Sequence, residues 1–199
     1  MIEAFLFDIG NVLVTFDFSR AMRRLAERSV LDSDEIGAKL TPLILDLECG
    51  RLGNDDFIRA GITASRFSGP AEKFAVIYRE IFEPHVPMES LVDQLRQRFP
   101  LYLLSNTSSL HLDHLRTSFG VFGHFAGGVF SHEAASLKPG EKIFRDVIER
   151  CRLDPARTFY LDDIIANTEA ATRLGFQTYT YNWRDHGGFE AFLRESGLL

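Results

Sequence analysis

A chain of 199 residues that is 45% hydrophobic can bury a full core, and it suits one domain with a large insertion. A formal charge of -6, with basic residues scattered, lacks the positive surface that nucleic-acid or polybasic membrane binding requires. The 18 phenylalanines lie mostly in apolar runs, which reads as core filling rather than a base-stacking platform.

In chain order, the first predicted element is a short apolar strand over Ala4 to Phe7, followed at once by Asp8-Ile9-Gly10-Asn11. Turn residues there place Asp8 at the carboxyl end of the strand, the edge where open parallel α/β sheets bind ligands. Residues 16–86 then give helical patterns at 20–28, 34–47, 55–64 and 71–82, with no convincing strand. Pro84 and Pro87 mark the exit from this stretch, and a helix over 90–99 leads back to the sheet.

Strand and helix alternate from there. Strands are expected at 101–104 before Ser105-Asn106, more weakly at 128–130 before Ser131, at 158–161 before Asp162-Asp163, and at 177–181. Helical spacing between them covers 110–119, 141–151 and 166–174, with Gly120 and Gly175 at the stops. The expected fold is an α/β, Rossmann-like, mostly parallel sheet flanked by helices, with an inserted α-helical cap. Residues 1–15 and 87–199 form the expected core domain, and 16–86 the cap.

Each strand of the alternating part delivers polar residues to one edge: Asp8, then Ser105 and Asn106, then Asp162 and Asp163. Lys138 precedes Pro139 in a loop entering the 141–151 helix. Carboxylates meeting a hydroxyl, an amide and one ammonium suggest a Mg²⁺ site beside an oxyanion pocket. His111 and His114, three apart on a helix, read as packing or surface residues, since no further spaced metal ligand accompanies them. Glu48 and Arg51 are either solvated charges of a cap turn or groups facing the substrate. Cys49 and Cys151, far apart, read as free thiols of a reducing compartment. The absence of a basic leader and of any apolar run near ~18 residues gives a soluble, cytoplasmic expectation.

The chain resembles the haloacid dehalogenase superfamily of phosphohydrolases. Asp8-Ile9-Gly10-Asn11-Val12-Leu13 is similar to its first motif, Leu103-Leu104-Ser105-Asn106 to its second, and Lys138-Pro139 to its third. Tyr160-Leu161-Asp162-Asp163 with Asn167 is similar to the fourth, and the helical insertion falls where a type-one cap sits. The Gly-Asn form of the first motif, with Glu48-Cys49-Gly50-Arg51, resembles a subgroup that includes alpha-glucose-1-phosphatase.

The resemblance implies a Mg²⁺-dependent phosphomonoesterase for a small phosphorylated metabolite, a sugar phosphate in this subgroup, working through an aspartyl-phosphate. Asp8 would be the nucleophile, and Asp8, Gly10 through its carbonyl, and Asp163 the metal ligands. Ser105, Asn106 and Lys138 would bind the phosphoryl oxygens, and Glu48 with Arg51 the rest of the substrate. Asp162, Asn167 and Asn11 would support these groups from behind. The chain departs from the pattern at Gly10, where most such phosphatases carry an aspartate acid–base, and at apolar Ile164. Two alternatives share the scaffold: a metal-free 2-haloacid dehalogenase, and a binding or regulatory protein with weakened catalysis. The sequence says nothing about oligomeric state.

Overall fold

The computed structural model describes residues 1–199. Its central element is β1 (Ala4–Phe7), whose four residues are all buried. Parallel neighbours are β4 (Leu101–Ser105) on one side and β6 (Thr158–Asp162) on the other. The edges are β5 (Gly127–Phe130) and β7 (Gln177–Thr180), so the sheet runs β5-β4-β1-β6-β7 and is parallel throughout.

Strand alternation explains why the central strands read as unbroken apolar runs. Phe5, Phe7, Leu101, Leu103, Phe159 and Leu161 face one layer of core, while Ala4, Leu6, Leu104 and Tyr160 face the other. Helices cover both faces, so neither set of side chains is left to solvent. The chain leaves β1 toward β4 on one side and returns to β6 on the other. The strand order therefore reverses at β1, and the crevice beyond its carboxyl end is the ligand position of such sheets.

The insertion consists of α1 (Phe18–Ala26), α2 (Ser33–Glu48), α3 (Asn54–Ser65) and α4 (Ala71–Arg79). Their periodic apolar residues, among them Leu25, Ile36, Leu40, Phe57, Phe74 and Tyr78, bury a separate cluster. Asp17 caps α1, and Asp32 with Glu35 forms a capping box that starts α2.

Where the sequence offered no strand, β2 (Val14–Phe16) and β3 (Phe82–Pro84) pair antiparallel and bring the two ends of the insertion together. The apolar spacing of 71–82 continues through β3 because Phe82 packs against the cap cluster while already extended. The return helix α5 (Val86–Leu95) starts earlier than expected, with Pro87 in its first turn.

The remaining helices are α6 (Ser109–Ser118), α7 (Ser131–Ala134), α8 (Glu141–Cys151), α9 (Ile165–Arg173) and α10 (His186–Glu195). Gly175 follows α9 at φ +94°, the left-handed stop expected of it. Helix α10 was not anticipated, since its Gly187-Gly188 start hides the pattern. Phe189 and Leu193 nevertheless bury it against the sheet. Cys49 and Cys151 are free thiols. No helix is long and apolar enough to cross a membrane.

Candidate active site

Asp8 leaves β1 while its N–H still donates to the Leu161 carbonyl at 2.9 Å, so it stays in register with β6. The chain then turns sharply. The Ile9 carbonyl accepts from the N–H groups of Val12, Leu13 and Val14, and Asn11 takes φ +53°, a conformation asparagine tolerates better than most residues. The turn aims the Asn11 side-chain amide at Asp163, with Nδ2–H donating to Oδ2 at 3.0 Å.

Lys138 reaches the same place from the loop before α8. Its ammonium lies 2.7 Å from Asp8 Oδ1 and 2.7 Å from Asp162 Oδ2, and donates to the Leu104 carbonyl at 2.9 Å. The side chain is 1% exposed, so this charge has left water almost entirely. The Asn106 amide grips the Lys138 peptide at two points. Its Oδ1 accepts the Lys138 N–H at 2.8 Å and its Nδ2–H donates to the Lys138 carbonyl at 3.0 Å.

Asp162 is fully saturated. Its two oxygens accept from Lys138, the Tyr160 hydroxyl, the Ile164 N–H and the Asn167 amide. An ionised carboxylate offers about four acceptor positions, so Asp162 has none left for a cation. Asn167, buried, serves only to hold Asp162, and Asp162 in turn holds Lys138.

Carboxylate oxygens of Asp8, Asp162 and Asp163 all lie within 4.8 Å of one another. One ammonium faces three carboxylates, and burial with this excess of negative charge acts on two of them. Burial pushes the Asp8 carboxyl up to about 7, with the Asp162 charge adding to the rise and Lys138 opposing it. Burial also raises Asp163, against the pull of the Asn11 amide. Ligands made only of oxygen, with negative charge in excess, fit a hard divalent cation held by Asp8 and Asp163.

Ser105, at the end of β4, is 3% exposed and lines a small pocket with Gly10 of the Asp8 turn, Asn106 and Thr107. It need not cap α6, because Ser108 does so by accepting from the His111 N–H. His111 is a packing residue, stacked on the Tyr78 ring at 4.5 Å, with Nε2–H donating to the Tyr78 carbonyl at 3.2 Å.

The insertion touches the core at Glu48-Cys49-Gly50. Ser131 donates its hydroxyl to the Glu48 carbonyl at 2.6 Å and accepts the Thr107 N–H at 2.9 Å. Gly50, at φ +70°, lies so close that an added Cβ would stand 2.2 Å from the His132 carbonyl oxygen. Gly50→Ala is therefore expected to push this turn away from the core and to cost about 1–3 kcal/mol of stability, read as a lower thermal midpoint.

Glu48 lines a small pocket with Gly10, Ser105 and Asn106. Arg51 does not join it. Its guanidinium pairs with Asp46 and its side chain is 60% exposed, because the tight Gly50 turn sends it outward. The substrate-facing expectation thus divides, favouring Glu48 and placing Arg51 at the solvated surface. Tyr160 was read in the sequence only as part of a motif, and Thr107 and Ser131 were given no role. Tyr160 sits two residues before Asp162 on the same strand face, which is the signal that could have found it.

The raised carboxyls make the metal-free protein pH-sensitive. Asp8 and Glu48 ionise near 3.8 and 4.5 in the unfolded chain and near 7 when folded. Their folded forms bind more protons between those values, so stability is present at low pH and is lost as pH rises through about 7. Above the ~6.5 reference value of histidine the buried histidines do not oppose this trend. The thermal midpoint of metal-free protein is expected to fall between about pH 6.5 and 8, and chelated samples scanned across that range check it.

An open parallel sheet with a carboxylate after its first strand, a hydroxyl after the next, a loop lysine and paired carboxylates opposite defines a hydrolase of the α/β class with an acidic catalytic centre. Residues 2–175 match the haloacid dehalogenase-like hydrolase family, and the chain belongs to it.

A D-ribitol-5-phosphate phosphatase of Bacteroides thetaiotaomicron is 24% identical over 188 residues, covering 90% of this chain and 91% of the relative. A haloacid dehalogenase family enzyme from the same organism, solved with magnesium and inorganic phosphate, superposes with a TM-score of 0.83. It is 25% identical and the match covers 92% of this chain and 95% of that one. A predicted hydrolase of the family from Porphyromonas gingivalis gives 0.80 at 28% identity, covering 98% of each chain.

Proposed function

We propose that this protein is a Mg²⁺-dependent phosphomonoesterase that hydrolyses a small phosphorylated metabolite, of the sugar- or polyol-phosphate class, through an aspartyl-phosphate. The observation that carries the reading is the Lys138 ammonium locked between Asp8 and Asp162, with the Asp163 carboxylate close by. A dehalogenase of this fold needs a nucleophilic carboxylate but has no use for that further carboxylate. The relatives solved or named with phosphate and magnesium support the same choice.

Asp8 attacks phosphorus with one carboxylate oxygen, which divides the displacement into two easier steps. Asp8, Asp163 and the Gly10 carbonyl would hold the cation. Bound there, Mg²⁺ removes the repulsion between the anionic nucleophile and an anionic substrate. Lys138 and the Ser105 hydroxyl face the non-reacting oxygens, where negative charge sits in the transition state. Asn106 holds the Lys138 peptide in place and contributes its own N–H to the phosphoryl group. Asp162, immobilised by Tyr160, Asn167 and the Ile164 N–H, keeps the ammonium charged and aimed.

Residues 16–86 act as a cap over a core formed by 1–15 and 87–199. The β2–β3 pair joins them, and the Glu48–Gly50 turn closes over the phosphate. The free thiols and the lack of a membrane-crossing helix support a cytoplasmic setting. A phosphate-release screen over sugar and polyol phosphates with Mg²⁺ tests the reading. Activity is expected on at least one such ester and is expected to vanish with chelator. Turnover that persists without divalent metal would contradict it.

A further inference from the structure

Position 10, two residues after the nucleophile, carries no side chain, and the volume one would occupy is already filled. A Cβ at Gly10 would stand 2.7 Å from the Phe16 ring, which β2 presents at the start of the insertion. The leaving oxygen must therefore find its proton elsewhere.

A cavity of about 70 Å³ opens beside the Asp8 loop, walled by Gly10, Phe16 and Phe18 on one side and by Ser105 and Thr107 on the other. Glu48 and His111 are its titratable residues. His111 is already committed. Its ring is stacked on Tyr78, its Nε2–H is given to a backbone carbonyl, and burial pushes its pKa down to about 4. Glu48 has no such engagement on its carboxyl, while its backbone is held by the Ser131 hydroxyl and by the close fit of Gly50 on His132. The Tyr78 hydroxyl is fully buried with no hydrogen-bond partner, near enough for the charge of Glu48 to act on it. An unpartnered polar group buried at that depth is costly, and it adds to the apolar surroundings in which the Glu48 carboxyl is held.

We propose that Glu48, delivered by the cap, is the general acid and base of the reaction. The inference rests on the phosphatase reading above. In the first step, the bond from an Asp8 oxygen to phosphorus forms and the bond from phosphorus to the leaving oxygen breaks. The leaving oxygen takes its proton from the Glu48 carboxyl. In the second, water attacks phosphorus and gives its proton to the Glu48 carboxylate. The phosphorus–Asp8 bond then breaks, and inorganic phosphate leaves with Asp8 and protonated Glu48 restored. Burial holds the Glu48 carboxyl at about 7, in the range where one group both gives and takes a proton near neutrality.

The test compares Glu48→Gln with wild type by rapid-quench measurement of phosphoenzyme formation from two esters. One is p-nitrophenyl phosphate, whose phenolate departs without a proton. The other is the best-hydrolysed alkyl ester of the screen. The variant is expected to lose about 10²–10⁴-fold on the alkyl ester and at least roughly ten times less on p-nitrophenyl phosphate. The alkaline limb of its pH–rate profile on the alkyl ester is expected to disappear. The retained aryl burst also shows that the variant is folded. An equal loss on both esters, no loss, or a change confined to KM would overturn the role of Glu48. A wild-type burst that survives in Asp8→Asn would instead overturn the phosphatase mechanism itself.

Discussion

Asp8→Asn is expected to abolish phosphate release, by about 10⁴–10⁶-fold as for other covalent nucleophiles, and yet to raise the thermal midpoint of metal-free protein near pH 8. Both outcomes come from one carboxylate. As the proposed nucleophile, Asp8 must be ionised to attack phosphorus, but it is buried beside Asp162 with one ammonium shared between them. Its carboxyl is held at about 7 against an ordinary 3.8, so at pH 8 the folded protein carries an anion that the unfolded chain would hold more cheaply. Asparagine keeps the shape and can still accept from Lys138 through its oxygen while removing the charge. The gain is expected to shrink as pH falls below about 7 and to disappear only near pH 4, where Asp8 is protonated in the folded and the unfolded chain alike. Saturating Mg²⁺ reverses the order of the two proteins, because the cation stabilises only the folded form that binds it. Thermal scans at both pH values, with and without Mg²⁺, check all of these outcomes. A function-bearing group that costs stability is a common arrangement at catalytic centres.

Lys138→Met should give the opposite pairing, losing both activity and stability. The methionine matches much of the aliphatic stem but leaves Asp8 and Asp162 facing each other with no counter-charge, in a site where the lysine is 1% exposed. Removing one partner of a buried ion pair costs about 3–5 kcal/mol. For a chain of this size each kcal/mol moves the midpoint by about 2–4 °C, so a fall of roughly 6–20 °C is expected by calorimetry. Loss of the ammonium proposed to bind the phosphoryl oxygens should lower kcat by at least about 10²-fold. Adding Asp162→Asn to Lys138→Met is expected to recover much of the stability and none of the activity. That outcome separates the electrostatic cost from the catalytic role.

The core of the fold was legible because parallel central strands bury both faces. The runs around Phe5, Leu103 and Tyr160 are continuous, short and bounded by turn residues. Asp8, Lys138, Asp162 and Asp163 were legible for a related reason. Each stands where such a run or its following loop stops, and a common sheet edge brings them together. What escaped notice was set by tertiary contact. Phe82 satisfies a helical spacing but is held extended by pairing with Phe16. The Arg51 charge was readable, but its direction depends on a left-handed Gly50 pressed against His132. Asn106 was expected at the phosphate, whereas its side chain also clamps a peptide 32 positions away, which no local pattern encodes. Tyr160 was legible only as part of the fourth motif, and its role depends on the hydroxyl it places on Asp162.

The most direct test of a shared nucleophile–cation–lysine centre is to quench turnover in acid and map the phosphoryl group by peptide mass spectrometry. An acyl-phosphate is expected on the peptide bearing Asp8, formed only with Mg²⁺ and absent from Asp8→Asn and Asp163→Asn. Phosphate release with no adduct at Asp8, or an adduct formed equally well in chelator, would contradict the account.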